Sequence, residues 1–321
     1  ALTTKRSRPT GSLPTGGESR KENLYERRRK DAERGLSAEQ LEIFRAVMSG
    51  KSVFFTGPAG SGKSFLLRKI IEALPKQQGT FVTASTGRAA VQLGGTTLHS
   101  FAGIGLGFEN GAITHDLLRR ARRPRTAARW RSCRVLIVDE ISMIDAETFD
   151  ALDLIAREVR ESLRPFGGIQ LVLTGDFLQL PPVTKQRLQQ LRNLTTKEIG
   201  SPLGSGAAAA AARAFEAWML RRQSTNGSSR NPSQQTSSSS SSRGGYAFQS
   251  VAWGRCVGVA MQLRRNIRSQ SDPDLCRVLE ELRFGVVSDK TRKLLKDVTV
   301  DVDVDVADVS ADVDINVDAQ Y

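Results

Sequence analysis

The sequence predicts an α/β fold with a parallel sheet, on three observations. Short, almost continuously apolar runs alternate with helix-period segments between residues 36 and 183. One run feeds a glycine-rich loop, Gly57-Pro58-Ala59-Gly60-Ser61-Gly62-Lys63-Ser64, and another ends in the acid pair Asp139-Glu140. Strands covered on both faces need apolar residues at every position, whereas half-exposed strands alternate. Strands alternating with helices wind into a parallel sheet whose ligands sit at the carboxyl ends of the strands.

Taken in order, residues 1–34 are polar, charged and without apolar period, which reads as a disordered basic leader. Lys5, Arg6 and Arg8 with no acid in residues 1–17 fit a flexible arm or the end of a transit segment. The opening residue is Ala rather than Met, as in a processed chain or a fragment. Residues 35–183 form the first domain. Strands are expected at Val53–Thr56, Thr80–Thr83, Val135–Val138 and Ile169–Thr174, and helices at about 38–49, 63–74, 86–93 and 146–162. Residues 184–245 hold an alanine run and a serine run in a polar background and read as a low-complexity surface insertion, with a local helix over Ala207–Arg222. Globular signals resume over 246–298, expected to begin a second domain. In the tail, 299–321, valine alternates with seven aspartates and no Lys or Arg follows Val300, so a strand would present a self-repelling carboxylate face and disorder is expected.

Composition narrows the function. A hydrophobic fraction of 39% excludes a wholly disordered chain, and a formal charge of +13 favours a polyanionic partner. Cys133, Cys256 and Cys276 lack CxxC spacing, and His99 and His115 are the two histidines, so neither a disulfide framework nor a histidine-rich metal centre is expected. No apolar run approaches the length of a membrane span, and an intracellular protein with no membrane partner is expected.

The loop from Gly57 to Ser64 fits G-x-x-x-x-G-K-[ST] between a strand and a helix, the context the pattern requires. Its glycines let backbone N–H groups wrap phosphates at a helix N-terminus. In that pattern Lys63 reaches the β- and γ-phosphates of ATP and Ser64 offers a hydroxyl to Mg²⁺. An acid at the tip of a buried strand is costly unless it faces a cation, which makes Asp139 a second Mg²⁺ ligand and leaves Glu140 to orient or deprotonate the attacking water. Upstream, Ser37 and Gln40 have capping-box spacing, and on spacing alone Gln40 is a cap. The alternative is that its amide reads the adenine edge. Arg119–Arg134 holds eight arginines and no acid, a pattern that favours a phosphate-binding surface over a merely solvated helix face.

The order of blocks then resembles the Pif-one (petite integration frequency) DNA helicases, superfamily-one motors related to RecD. The blocks are Leu36–Gln40, the phosphate loop, Thr83–Ala90, Thr97–Gly103, Trp130-Arg131, Asp139–Met143, Phe166–Leu171 and Gly175–Val183. Beyond the insertion, Tyr246–Trp253 and Leu263–Asn266 are also similar, although Asn266 stands where the family usually has Gln. The resemblance implies a RecA-like domain followed by a second, here incomplete after Phe284-Gly285. It implies an ATP-dependent helicase moving 5′ to 3′ on single-stranded DNA and acting on forked or structured DNA in repair, recombination or telomere maintenance. It also implies the nucleus or mitochondrion; a monomer is favoured, and RNA as a track is left open.

By the same resemblance Gln40 becomes the adenine reader, Gln179 the γ-phosphate sensor, and Arg265 the arginine brought to the γ-phosphate by the second domain. Thr86, Gly87, His99, Ser100 and Phe101 would lie along the single strand. Phe101 and His99 fit the core equally well, and Trp130 fits core packing better than base stacking. With a motif arginine missing, slow hydrolysis is expected of the chain. A single-stranded DNA-binding regulator with weak ATPase activity is the alternative reading; a clamp-loader-type ATPase is disfavoured by Gly175–Val183.

Overall fold

The computed structural model describes residues 16–75, 79–105, 115–182, 215, 217, 219, 245–267, 272–284 and 287–298. The elements are α1 (Gly16–Glu33), α2 (Ala38–Met48), β1 (Val53–Thr56), α3 (Lys63–Ala73), β2 (Thr80–Ala84), α4 (Gly87–Gln92), β3 (Thr96–Thr97), α5 (Leu98–Ala102), α6 (His115–Ala121), α7 (Pro124–Ser132), β4 (Val135–Asp139), α8 (Ala146–Val159), β5 (Gln170–Thr174), α9 (Val251–Cys256), β6 (Val259–Gln262), α10 (Pro273–Phe284) and α11 (Asp289–Val298). Three short 3₁₀ turns, Ile141–Met143, Pro165–Gly168 and Ala247–Gln249, join them.

The six strands run parallel in the order β3-β2-β4-β5-β1-β6. Successive side chains point to opposite faces, and each face has its own core. Phe54, Leu136, Val138, Leu171 and Leu173 enter one apolar cluster with Phe101, Trp130, Phe149 and Trp253. Val53, Phe55, Ile137 and Val172 enter the other with Ile43, Phe44 and Leu67. Burial on both faces explains why these strands read as unbroken apolar runs.

Three expectations about organisation are corrected. Residues 16–33 of the supposedly disordered leader form α1, rich in Glu, Arg and Lys with good helix propensity. Its end docks: Ala32 is buried in the second cluster, and the Tyr25 hydroxyl donates to Met48 Sδ at 3.8 Å. The segment expected to open a second domain instead completes the first sheet. Val259, Ala260, Met261 and Gln262 pair with Val53, Phe54, Phe55 and Thr56. The Asp150 carboxylate accepts the Ala252 N–H at 2.7 Å, at the start of α9, and Trp253 is fully buried. Finally, the low-complexity stretch reaches the core, because helical Phe215 and Met219 are buried and the Phe215 ring lies 5.2 Å from that of Phe177. Residues 1–15 and the Val-Asp tail lie outside the described residues.

Candidate nucleotide and nucleic-acid site

β1 ends at Thr56 and the chain turns through the glycine-rich loop into α3, whose first residue is Lys63. Gly62 caps α3 with φ 86°, a left-handed conformation that glycine adopts without steric cost. A Cβ at Gly57 would lie 2.6 Å from both the Leu263 carbonyl and Ser61 Oγ, so the loop tolerates no side chain there. The Lys63 ammonium donates to the carbonyls of Gly57 (2.7 Å) and Pro58 (3.1 Å). Burial pushes its pKa down; the carboxylates of Asp176, Glu140 and Asp139 push it back up, while Arg283 adds to the lowering. Parallel pairing of β4 with β5 and of β5 with β1 brings the ends of β4 and β5 to the same side as the loop.

Asp139 closes β4, and burial, reinforced by the Glu140 charge, raises its carboxyl pKa to about 6. The Glu140 N–H donates to Asp139 Oδ1 at 2.9 Å, and Glu140 itself takes a left-handed φ of 53°. A non-glycine residue held there costs of order 1–3 kcal/mol, a strain that concentrates at functional positions. Magnesium takes oxygen donors and is held by one or two protein groups plus phosphates and water. The Ser64 hydroxyl and the Asp139 carboxylate fit that donor set, and among the described residues no group of three or more His, Cys, Asp or Glu forms a rival cage. The buried hydroxyls of Thr56, Ser61 and Thr174, at or near the ends of β1 and β5, have no hydrogen-bond partner, as suits a polar cradle built for a polar ligand.

Gln40 forms the capping box that its spacing predicts, and its amide also lies against the phosphate loop. Its Oε1 accepts the Ser37 N–H at 3.0 Å while its own N–H donates to Ser37 Oγ, forming the capping box. Its Nε2 meanwhile faces the Gly62 carbonyl at 3.5 Å, so this buried amide sits against the phosphate loop. Gln179 follows β5, exposed, with Nε2 donating to Asp176 Oδ2 at 2.9 Å. Arg265 is exposed on the segment after β6. That segment runs beside the loop, since the Ile267 N–H donates to the Gly60 carbonyl at 2.9 Å. Arg265 therefore stands at the edge of the first sheet and not on a second domain.

The residues expected along a nucleic acid separate into two groups. Thr86 caps α4, accepting the Ala89 N–H, and Gly87 is the first residue of that helix. Thr97 caps α5, which carries His99 and the exposed Ser100. Burial lowers the His99 pKa, partly opposed by the Asp145 carboxylate. Phe101 is corrected: at 2% exposure its ring packs 4.9 Å from Trp130 and 5.1 Å from Phe81 and offers no face to a base. Trp130, as expected, is a core residue, donating to the Ala102 carbonyl at 3.3 Å. The arginine-rich run forms α6 and α7; Arg123, Arg125 and Arg134 are exposed, while Arg122 pairs with Glu158 at 2.9 Å.

One residue of the pocket was missed altogether. Arg283 on α10 reaches the fully buried Asp176, donating from Nη2 to Oδ1 at 2.9 Å and from Nε to Oδ2 at 3.1 Å. No local pattern marks it, because its partner lies 107 positions earlier.

Residues 35–198 match the PIF1-like helicase family. A zebrafish (Danio rerio) protein named ATP-dependent DNA helicase PIF1 is 40% identical over 262 residues, covering 81% of this chain and 32% of that protein. The crystal structure of Pif1 helicase from Candida albicans aligns with a TM-score of 0.59 at 36% identity, over 80% of this chain and 46% of that one. A Bacteroides Pif1 crystallised with ADP-AlF3 and single-stranded DNA aligns with a TM-score of 0.57 at 28% identity, over 82% and 49%. The chain thus spans about a third of the length of the curated relative and about half of the solved chains.

Proposed function

The chain belongs to the PIF1-like helicase family, and from that premise we propose that it is the ATP-hydrolysing part of a DNA helicase moving 5′ to 3′ along single-stranded DNA. The observation that carries the reading is the pocket itself: the glycine-rich loop with Lys63, and Asp139, Glu140 and Asp176, stand at or just beyond the carboxyl ends of the adjoining parallel strands β1, β4 and β5.

In this reading Gly57, Pro58, Ala59, Gly60, Ser61 and Gly62 wrap the phosphates of ATP with backbone N–H groups. Lys63 exchanges the Gly57 and Pro58 carbonyls for phosphate oxygens. Ser64 and Asp139 hold Mg²⁺, which when bound supplies positive charge against the phosphates. Glu140 orients the attacking water, and Arg265 adds charge from the segment beside the loop. Gln40 reads adenine by giving up one of its two present hydrogen bonds, and Gln179 feels the γ-phosphate. Thr86, Gly87, His99 and Ser100 contact the strand by hydroxyl, imidazole and backbone groups suited to phosphate and sugar. Forked or structured DNA in nucleus or mitochondrion is the proposed working substrate, and residues 272–298 the beginning of the second motor domain.

The test is ATP hydrolysis by the purified 321-residue chain with and without oligo-dT, alongside unwinding of a 5′-tailed fork. Lys63→Ala is expected to lower DNA-stimulated hydrolysis by about 10²-fold or more while leaving single-strand affinity intact. Tight single-strand binding by the unaltered chain with no stimulated hydrolysis would instead favour a regulator.

A further inference from the structure

We propose that Arg283 is a positioning residue for nucleotide sensing, which holds Asp176 so that Asp176 can aim the Gln179 amide at the γ-phosphate. The inference builds on the nucleotide-site reading above and extends it to a helix beyond the last family-like block.

The geometry is closed on every side. A carboxylate has about four acceptor positions, and Asp176 fills them with four donors. Oδ1 takes Arg283 Nη2 at 2.9 Å and the Leu178 N–H at 3.1 Å; Oδ2 takes Arg283 Nε at 3.1 Å and Gln179 Nε2 at 2.9 Å. Because an ionised carboxylate only accepts, the amide nitrogen of Gln179 must be the atom that faces it. That leaves one further N–H of the same nitrogen for a phosphate oxygen. The Gln179 N–H also donates to the Asp176 carbonyl at 3.0 Å, so backbone and side chain are tied to one residue. A long exposed glutamine would otherwise spread over many rotamers.

Arg283 supplies what the sheet cannot. Asp176 is fully buried and the Arg283 side chain only 9% exposed, so the pair is shielded from water and its bidentate fork fixes the carboxylate plane. Lysine in its place would keep the charge and lose the fork. Arg283 sits near the end of α10, and the carboxylate of Glu281, two residues before it, accepts the N–H and O–H of Ser288 at 2.8 and 2.9 Å, joining α10 to α11. A displacement of that helix pair therefore acts on the carboxylate that orients Gln179. This makes the Asp176–Arg283 pair the point where chain beyond the first sheet meets the sensor.

The experiment compares affinities of fluorescent AMPPNP and ADP for the full chain, and ssDNA-stimulated kcat and KM for ATP. The proteins are the unaltered chain, Arg283→Met, Arg283→Lys, Gln179→Ala and the double variant Arg283→Met with Gln179→Ala. Arg283→Met and Gln179→Ala are each expected to erase about tenfold of the preference for AMPPNP over ADP and of kcat, with KM changed less. The double variant should lose no more than Gln179→Ala alone, since residues acting through one another are not additive. Arg283→Lys, which keeps the charge in place should Arg283→Met fail to fold, is expected to fall between. Undiminished discrimination in Arg283→Lys or Arg283→Met, or multiplied losses in the double variant, would overturn the proposal, as would equal affinities in the unaltered chain. If the unaltered chain discriminates the nucleotides yet shows no ssDNA-stimulated hydrolysis, the helicase reading fails and the nucleotide ratio still judges Arg283.

Discussion

Replacing Phe101 by Ala removes a ring packed between Trp130 and Phe81 beneath a helix that carries two proposed DNA contacts. Truncating a buried Phe costs about 3–5 kcal/mol, so urea unfolding should show a loss of that size. Oligo-dT affinity, measured below the unfolding transition, should stay within about threefold, because the ring reaches no base; a large affinity loss in folded protein would restore Phe101 as a stacking residue. Phe101 was ambiguous in sequence because an aromatic beside polar residues suits a core and a stacking platform equally. Gln40 is ambiguous for another reason: capping and reading adenine call on the same side-chain amide, and spacing bears only on the first. The placement of Lys63 and Ser64 at the start of α3 and of Asp139 at the end of β4 is legible because neighbours in sequence set it. Arg283 was invisible because its chemistry is set by a partner across the fold.

The same distinction between local and distant partners holds for elements. The helices α2, α3, α4 and α8 and strands β1, β2, β4 and β5 carry their own period and lie close to where the pattern put them. β6 did not declare its place, since linear order says nothing of sheet order and a long polar stretch precedes it. The aromatic that stretch contributes is the sharpest test. Phe215 lies 5.2 Å from Phe177, 5.4 Å from Phe248 and 6.2 Å from Phe54, closing the core under the Gly175–Pro182 turn. Phe215→Ala is therefore expected to destabilise the chain by about 3 kcal/mol, measured by chemical denaturation. A change within about 0.5 kcal/mol, the usual size for an exposed site, would show the segment to be the surface insertion its composition suggests.

At the scale of the molecule, the sheet gathers Lys63, Asp139 and Asp176 at the carboxyl ends of its strands, while the sequence carries a net charge of +13. Charge of that kind acts through displaced counterions, so single-strand affinity should fall linearly on logarithmic axes of salt, by about 0.7 in slope for each phosphate neutralised. Arg123, Arg125 and Arg134 are the exposed arginines best suited to reveal whether the α6–α7 region takes part, because replacing them disturbs no capped helix or buried pair described here. If those arginines meet the nucleic acid, changing all three to Gln should lower the magnitude of the slope by about 2, with melting temperature nearly unchanged. Anisotropy titrations of labelled oligo-dT across a KCl series measure this directly. An unaltered slope would make the arginine run a solvated face, and would assign the charge effect to groups nearer Thr86 and Ser100. The nucleotide pocket should be indifferent to the outcome: intrinsic ATP hydrolysis without DNA is expected to match the unaltered chain, since Lys63, Asp139 and Asp176 lie at or just beyond the carboxyl ends of β1, β4 and β5, whereas Arg134 precedes the amino end of β4 and Arg123 and Arg125 stand at the start of α7.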